Sequence, residues 1–233
     1  IQPDAVIIGE PTGLKAIAAH KGCYEYATTI KGLNGHSSEP EKAVNAVQYA
    51  ARFINRLMEL KMEMVSRAPE NSPYQPPSTT MSVGTIEGGQ ARCIVAEHCK
   101  FDWEMRPIQR SDAEYVHEQL AAFTNELLLE MKTIYPEASI ETEKVCEVDG
   151  LEYHAESSAL SLMTELLGES EFDVVSYGTE AGLYQAAGMP AVVWGPGDIE
   201  VAHRPDEFVS ISDLKDCLSV LERLGLEVLT KTH

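Results

Sequence analysis

Two short, uninterrupted apolar runs set the frame for this chain. "DAVIIGEP" (Asp4–Pro11) and "MPAVVWGPG" (Met189–Gly197) lie near opposite ends of its 233 residues, and each closes on glycine and proline. A strand that is apolar without alternation is buried on both faces, as in a parallel sheet covered by helices. The stretch between them has a different pattern. Residues 23–148 read as strand, helix, strand, strand, helix, strand, the order of a ferredoxin-like split βαβ unit. "EKAVNAVQYAARFINRLMELKMEM" (Glu41–Met64) places Ala43, Val47, Ala50, Ile54 and Leu57 on one helical stripe. "SDAEYVHEQLAAFTNELLLEMK" (Ser111–Lys132) opens with Ser111 at the N-cap position and puts Val116, Leu120, Phe123 and Leu127 on one face. After Asp149-Gly150 helices and strands alternate, which implies a parallel-type sheet wrapped by helices, and the strand after Asp4 belongs with that block. The expected architecture is an α/β domain built from residues 1–21 and 149–233, with an α+β domain, residues 22–148, inserted into it.

Bulk properties exclude more than they assign. A hydrophobic content of 44% and charged content of 24% provide for a buried core. The formal charge of −19 argues against nucleic acid and against an anionic membrane surface as partners, since both need basic patches. No apolar run approaches the ~20 residues of a membrane span. The five cysteines, Cys23, Cys93, Cys99, Cys146 and Cys217, are widely spaced, odd in number and free of any C-x-x-C pattern. Reduced thiols in a cytoplasmic protein are the expectation. The chain starts at Ile1 and runs almost directly into a strand, as a chain beginning inside a domain would.

Five places break the packing pattern with groups that carry chemistry. Glu10 closes the first apolar run. His36 lies in the Gly-rich turn "GLNGHSSEP", and Arg106 ends the strand "FDWEMRP". Thr179 and Glu180 lie in "SYGTEAG", and His203 in "GPGDIEVAHRPDEF". Each has an ordinary alternative: Glu10 caps a turn, His36 is an exposed turn residue, Arg106 pairs with a surface acid, and His203 is a solvated surface histidine. Carboxyl ends of strands in an open α/β sheet face one crevice, which would gather Glu10, Thr179, Glu180 and His203. A carboxylate and an imidazole are suitable ligands for a first-row metal ion.

The segments "DAVIIGEPTGLKAIAAHKG", "KGLNGHSSEPEKAVNAV", "TIEGGQARCIVAEHCKFDWEMRP" and "SYGTEAGLYQAAGMPAVVWGPGDIEVAHRPDEFV" together resemble the co-catalytic zinc hydrolases. That family includes acetylornithine deacetylase, succinyl-diaminopimelate desuccinylase and glutamate-type carboxypeptidases. "HKG", "GTEA" and "AHRPDE" are most similar to the acetylornithine deacetylase branch. The resemblance implies a zinc-binding α/β domain, truncated here at its N-terminus, carrying an inserted lid that forms a homodimer. It implies Glu10 and His203 as ligands to two different metal ions, zinc with cobalt as a substitute. It further implies His36 as a histidine that crosses the dimer interface to polarise the scissile carbonyl. Arg106 and Thr179 correspond to substrate-binding positions, Gly195 and Gly197 to the floor beside the substrate. Glu207 suits the orientation of His203.

The implied reaction is hydrolysis of the amide of a small N-acyl amino acid, N-acetylornithine first among candidates, a step of arginine biosynthesis. Another deacylase or a desuccinylase is the rival within the family. Two departures bear on this. The family's remaining ligands and its glutamate base lie upstream of "GEPT", so this chain alone is expected to be inactive and to bind zinc weakly. A non-catalytic dimerisation or binding module is the rival outside enzymology. Cys93 also stands where the family usually places a substrate-binding asparagine, and a thiol mimics an amide poorly.

Overall fold

The structure is a computed structural model that describes residues 2–231. The chain divides into two compact units, one of Ile1–Lys21 with Val148–His233, the other Gly22–Glu147.

The first unit is a four-stranded sheet in the order β1-β10-β2-β9. Its strands are β1 (Val6–Ile8), β2 (Ile17–His20), β9 (Asp173–Val175) and β10 (Ala191–Val193). Helices α3 (Ser158–Leu167), α4 (Ala181–Ala186) and α5 (Ile211–Lys231) complete it. The two apolar runs lie side by side: β1 and β10 pair in parallel, Val6 to Ala191 and Ile8 to Val193. The sheet is mixed, not parallel throughout as the αβ alternation suggests, because β2 runs antiparallel to β10 and β9 runs parallel to β2. The cause is local: the chain reverses over Gly9–Ala16 and returns along the sheet it has just left, which no alternation of apolar runs encodes. Both faces are covered. On one, Ala16, Ala18, Val192 and Trp194 pack with Leu160, Met163 and Leu166 of α3 and Val220 of α5. On the other, Ile17, Ala191 and Val193 pack with Ala181 of α4 and Leu151.

The second unit is a two-layer α+β fold. Its sheet, in the order β5-β7-β3-β8, comprises β3 (Cys23–Lys31), β5 (Thr80–Gly88), β7 (His98–Arg106) and β8 (Ser139–Val148). A ribbon of β4 (Gly35–His36) and β6 (Ile94–Val95) stands beside it. Cys99, Phe101, Trp103 and Met105 of β7 are buried while the intervening residues are exposed or half-buried, the alternation of a sheet with one covered face. That face receives α1 (Ala46–Arg67) and α2 (Arg110–Ile134).

The helices differ in detail from the sequence reading. α1 starts at Ala46 because Asn45 caps it, its side chain accepting from the N–H groups of Val47 and Gln48. The preceding Pro40–Lys42 forms a separate 3-10 turn. The buried stripe is Ala46, Ala50, Phe53, Leu57, Leu60 and Met64; Val47 and Ile54 flank it, half-buried. Ser111 does not cap α2, which begins one residue earlier with Gln109 at the cap position. Asp112 in its first turn is buried and accepts from Thr79 Oγ1 and from Gln109 Nε2.

Candidate functional site

The "GEPTG" loop after β1 and the "WGPGD" loop after β10 are laced together. Trp194 N–H donates to the Ile8 carbonyl at 2.9 Å, Leu14 N–H to Gly195 at 3.0 Å, and Gly13 N–H to Gly197 at 2.7 Å. Gly195 N–H donates to Thr12 Oγ1 at 3.1 Å, and the Trp194 indole N–H to the Leu14 carbonyl at 2.7 Å. This close approach explains Gly195, since a Cβ there would meet the Glu10 carbonyl oxygen at 2.6 Å. Gly197 has φ +95°, a conformation side chains rarely adopt. The lacing fixes the backbone on both sides of Glu10.

Tyr177, Glu180 and His203 each come within electrostatic range of Glu10. Partial burial raises the Glu10 carboxyl above its usual range, Glu180 pushes it further, and His203 opposes both. Burial and Glu10 push the Tyr177 phenol up. Strand ends do not account for the gathering: β9 runs opposite to β1, so their carboxyl ends lie at opposite ends of the sheet. The loop after β9 carries Glu180 back toward Glu10. His203 is exposed, with φ 62°, and Glu207 Oε2 accepts its backbone N–H at 3.0 Å. Glu207 therefore holds the turn that presents His203 rather than the ring itself. A cavity of about 470 Å³ lies here, with Glu10, Asp198 and Glu207 supplying three carboxylates and Phe208 and Val209 an apolar side.

Thr179 is buried, and its hydroxyl is fully used. It lies 2.9 Å from His20 Nε2 and accepts from Ala181 N–H at 3.1 Å, capping the start of α4. His20 is itself buried, and its Nδ1 sits 2.8 Å from the Lys21 carbonyl. A carbonyl only accepts, so Nδ1 carries the proton and Nε2 accepts from the Thr179 hydroxyl. Burial pushes the imidazole pKa down, which keeps it neutral. Beside it Lys21 is also buried, which lowers its ammonium to about 8. Sequence reasoning passed over Tyr177, His20 and Lys21. The visible signal was "HKG", two polar residues ending an apolar strand.

His36 and Arg106 belong to the other unit. His36 is exposed on the β4–β6 ribbon, opposite Ile94. Its Nδ1 accepts the Ser38 backbone N–H at 3.2 Å and lies 2.7 Å from Ser38 Oγ. The neutral ring therefore carries its proton on Nε2, pointing away from the turn. Cys93 is exposed next to this ribbon, and its carbonyl accepts from Ser37 N–H at 3.1 Å. Arg106 is half-buried and donates twice to Glu104 Oε2, at 2.9 and 3.2 Å, so a surface acid already occupies its guanidinium.

Glu10 and His203 are donors of the type zinc takes, a carboxylate and an imidazole. Among the described residues, however, no three His, Cys, Asp or Glu side chains come together to hold a metal ion. The described residues fit a partial ligand set, not a complete one.

Comparisons with known proteins place this geometry. Residues 18–132 match the peptidase dimerisation domain family. The chain is 36% identical over 218 residues to an acetylornithine deacetylase of Myxococcus xanthus, covering 93% of this chain and 56% of that protein. It is 34% identical over 224 residues to one of Photorhabdus laumondii, covering 96% of this chain and 56% of that protein. It thus spans about half the length of the curated relatives it matches. Among solved structures, an aminopeptidase PepT of Bacillus cereus aligns with TM-score 0.68 at 18% identity, covering 92% of this chain and 54% of that one. A tripeptidase of Staphylococcus aureus aligns with TM-score 0.60 at 19% identity, covering 84% and 50%. Sequence and fold agree on this much: residues 18–132 belong to the M20-type peptidase dimerisation domain family, in a chain similar over nearly all of its length to acetylornithine deacetylases.

Proposed function

We propose that this chain serves metal-dependent hydrolysis of the amide bond of an N-acyl amino acid, with N-acetylornithine the leading substrate. The observation that carries the reading is the laced pair of loops, which fixes Glu10 where its carboxylate senses His203 and Glu180. The cavity beside it supports a basic amino acid, since Asp198 and Glu207 add carboxylates that favour a cationic tail while Glu10 serves the metal. The names of the curated relatives point the same way.

In this reading Glu10 and His203 would each supply one ligand to a zinc ion, which when bound would supply Lewis-acid polarisation of the amide carbonyl. Glu207 keeps the His203 turn in place. His36 presents its Nε2–H to the developing oxyanion of the partner subunit's substrate, a donor worth roughly 3 kcal/mol of barrier. Arg106 exchanges Glu104 for the substrate carboxylate, which its planar fork can bind through two N–H groups. The Gly22–Glu147 unit makes the homodimer, as the match to a dimerisation domain supports. His20 and Thr179 hold the "GTEA" turn and so act on the substrate indirectly.

The partial ligand set favours one second reading, that the chain by itself acts as a dimerisation or binding module. Zinc content and N-acetylornithine hydrolysis, measured on this chain and on the product of its whole open reading frame, separate the two. Two zinc ions and turnover in the product of the whole open reading frame, with N-succinyl-diaminopimelate hydrolysed at least ten-fold more slowly, support the deacetylase. Absence of zinc and turnover from both leaves the binding module.

A further inference from the structure

The Gly22–Glu147 unit contains a cleft of about 420 Å³ between α2 and the β8 side of its sheet, distant in chemistry from the carboxylate-lined site described above. It exists because α2 turns its fully buried stripe, Val116, Leu120, Leu127 and Met131, into the core. The neighbouring stripe, Ala121, Thr124, Asn125 and Leu128, is left over β8. Beneath it, the middle of β8 is uncovered: Ile140 is buried but Thr142 to Val145 are exposed.

The floor of the cleft is built and rigid. Tyr26 and Trp103 stack with ring centroids 4.3 Å apart and planes 25° apart. Their polar tips are committed elsewhere: the Tyr26 hydroxyl donates to Glu147 at 2.8 Å and lies 2.6 Å from His117 Nε2, and the Trp103 indole N–H donates to Thr28 at 3.0 Å. What these rings offer the cleft is their apolar, π-bearing surface. Leu120, Leu128 and Ile140 line the rest. His117, drawn to neutrality by burial, is the one titratable group near the floor apart from Tyr26, and the acid beyond it, Glu147, is paired with Lys144 at 2.8 Å. At the mouth, the Asn125 amide and the Thr124 hydroxyl have no hydrogen-bond partner among the described residues.

We propose that this cleft binds a small, flat, uncharged aromatic molecule that rests against Tyr26 and Trp103 and makes one hydrogen bond to Asn125 or Thr124. Aromatic surface in a mostly apolar pocket with a few polar groups is the usual make-up of a small-molecule site, and the volume falls in that range. An offset or edge-on aromatic contact favours an arene over an alkane of equal size. An anion or cation finds no free opposite charge inside, so desolvating it is not repaid.

Indole is a suitable probe, with indole-3-acetate as its charged analogue and cyclohexanol as a non-aromatic control. Amide-resolved NMR of the 233-residue chain follows the Trp103 indole N–H and the Asn125 side-chain amide during titration. Saturable shifts of both with indole, at least ten-fold weaker binding of the other two compounds, and at least ten-fold loss in Ala121→Phe support the site. Ala121 is exposed on α2, so that variant keeps the core intact. Asn125→Phe, also at an exposed position, is the second blocking variant. The proposal fails if indole produces no saturable shift, if both blocking variants bind as the parent does, or if cyclohexanol binds as well as indole. It fails equally if the two reporter signals move with protein concentration alone, for then a second copy of the chain occupies the cleft.

Discussion

At the scale of single residues, the candidate site depends on groups whose space or protons are already assigned. Gly195→Ala drives a methyl into the Glu10 backbone, which cannot rotate away as a side chain can. We expect a loss of about 1–3 kcal/mol, the usual cost of overpacking, read as a lower urea midpoint. Thr179→Val keeps the shape but strips the hydroxyl from His20 and from Ala181 N–H, which are buried together. Leaving those groups unsatisfied should cost about 1–3 kcal/mol. His20 adds a pH signature. Its folded pKa lies below the ordinary 6.5, so between the two values the unfolded chain binds a proton that the folded chain does not. Stability is therefore full above about pH 6.5 and falls as pH drops through the folded value. His117 contributes in the same direction. His20→Gln should flatten, without abolishing, the decline in urea midpoint between pH 6.5 and 5; an unchanged slope would remove His20 from the account. None of this was legible in sequence beyond the polar pair in "HKG", because a histidine's protonation follows from partners far along the chain. The positions of Glu10 and His203 as loop residues after apolar runs were legible, whereas the close approach that requires Gly195 depends on a loop 185 residues away and was not.

At the scale of elements, the start of α1 is set by a cap that periodicity does not report, and the cap read at Ser111 is not used. The stripe read from residues 41–64 shares Ala50 and Leu57 with the buried one, but Val47 and Ile54 flank it where Ala46 and Phe53 are buried. A broad apolar face admits either phase, and only packing against β7 and β3 selects one. Asn45 was the decisive residue for the start of α1. Asn45→Ala should cost about 1 kcal/mol, and Asn45→Ser should recover most of it, since the serine hydroxyl can accept the same N–H groups. Equal losses in both variants, measured by thermal unfolding, would show that Asn45 acts through something other than its cap. The strand directions in the first unit were beyond sequence for a different reason. Apolar runs report burial on both faces but not polarity of the strand, and the reversal at Gly9–Ala16 decides that β2 opposes β10.

At the scale of the molecule, the two units have unequal claims to independence. The Gly22–Glu147 unit holds one core of its own, from Tyr24 to Ile140, and its first and last strands, β3 and β8, are neighbours in one sheet. Its ends therefore start close together, the arrangement that lets an inserted domain be excised. The other unit is built from two chain segments, and its last helix displays Ile211, Leu214, Leu218 and Leu221 to solvent, with Phe208 67% exposed just before it. A patch of this kind marks a surface that associates. We expect Gly22–Glu147, expressed alone, to unfold in a single cooperative transition with the far-ultraviolet spectrum of an α+β fold. We expect the whole chain to form species larger than a dimer with rising concentration, and Leu214→Glu with Leu218→Glu to return it to the dimer made by the Gly22–Glu147 unit while leaving the unfolding transition of that unit unmoved. The charge of −19 opposes association at low salt, so the contrast between parent and variant should widen as salt screens it. Sedimentation at two salt concentrations measures both effects. Association beyond a dimer that persists in the double variant would place the second adhesive surface away from α5, since the match to a dimerisation domain accounts for the dimer alone.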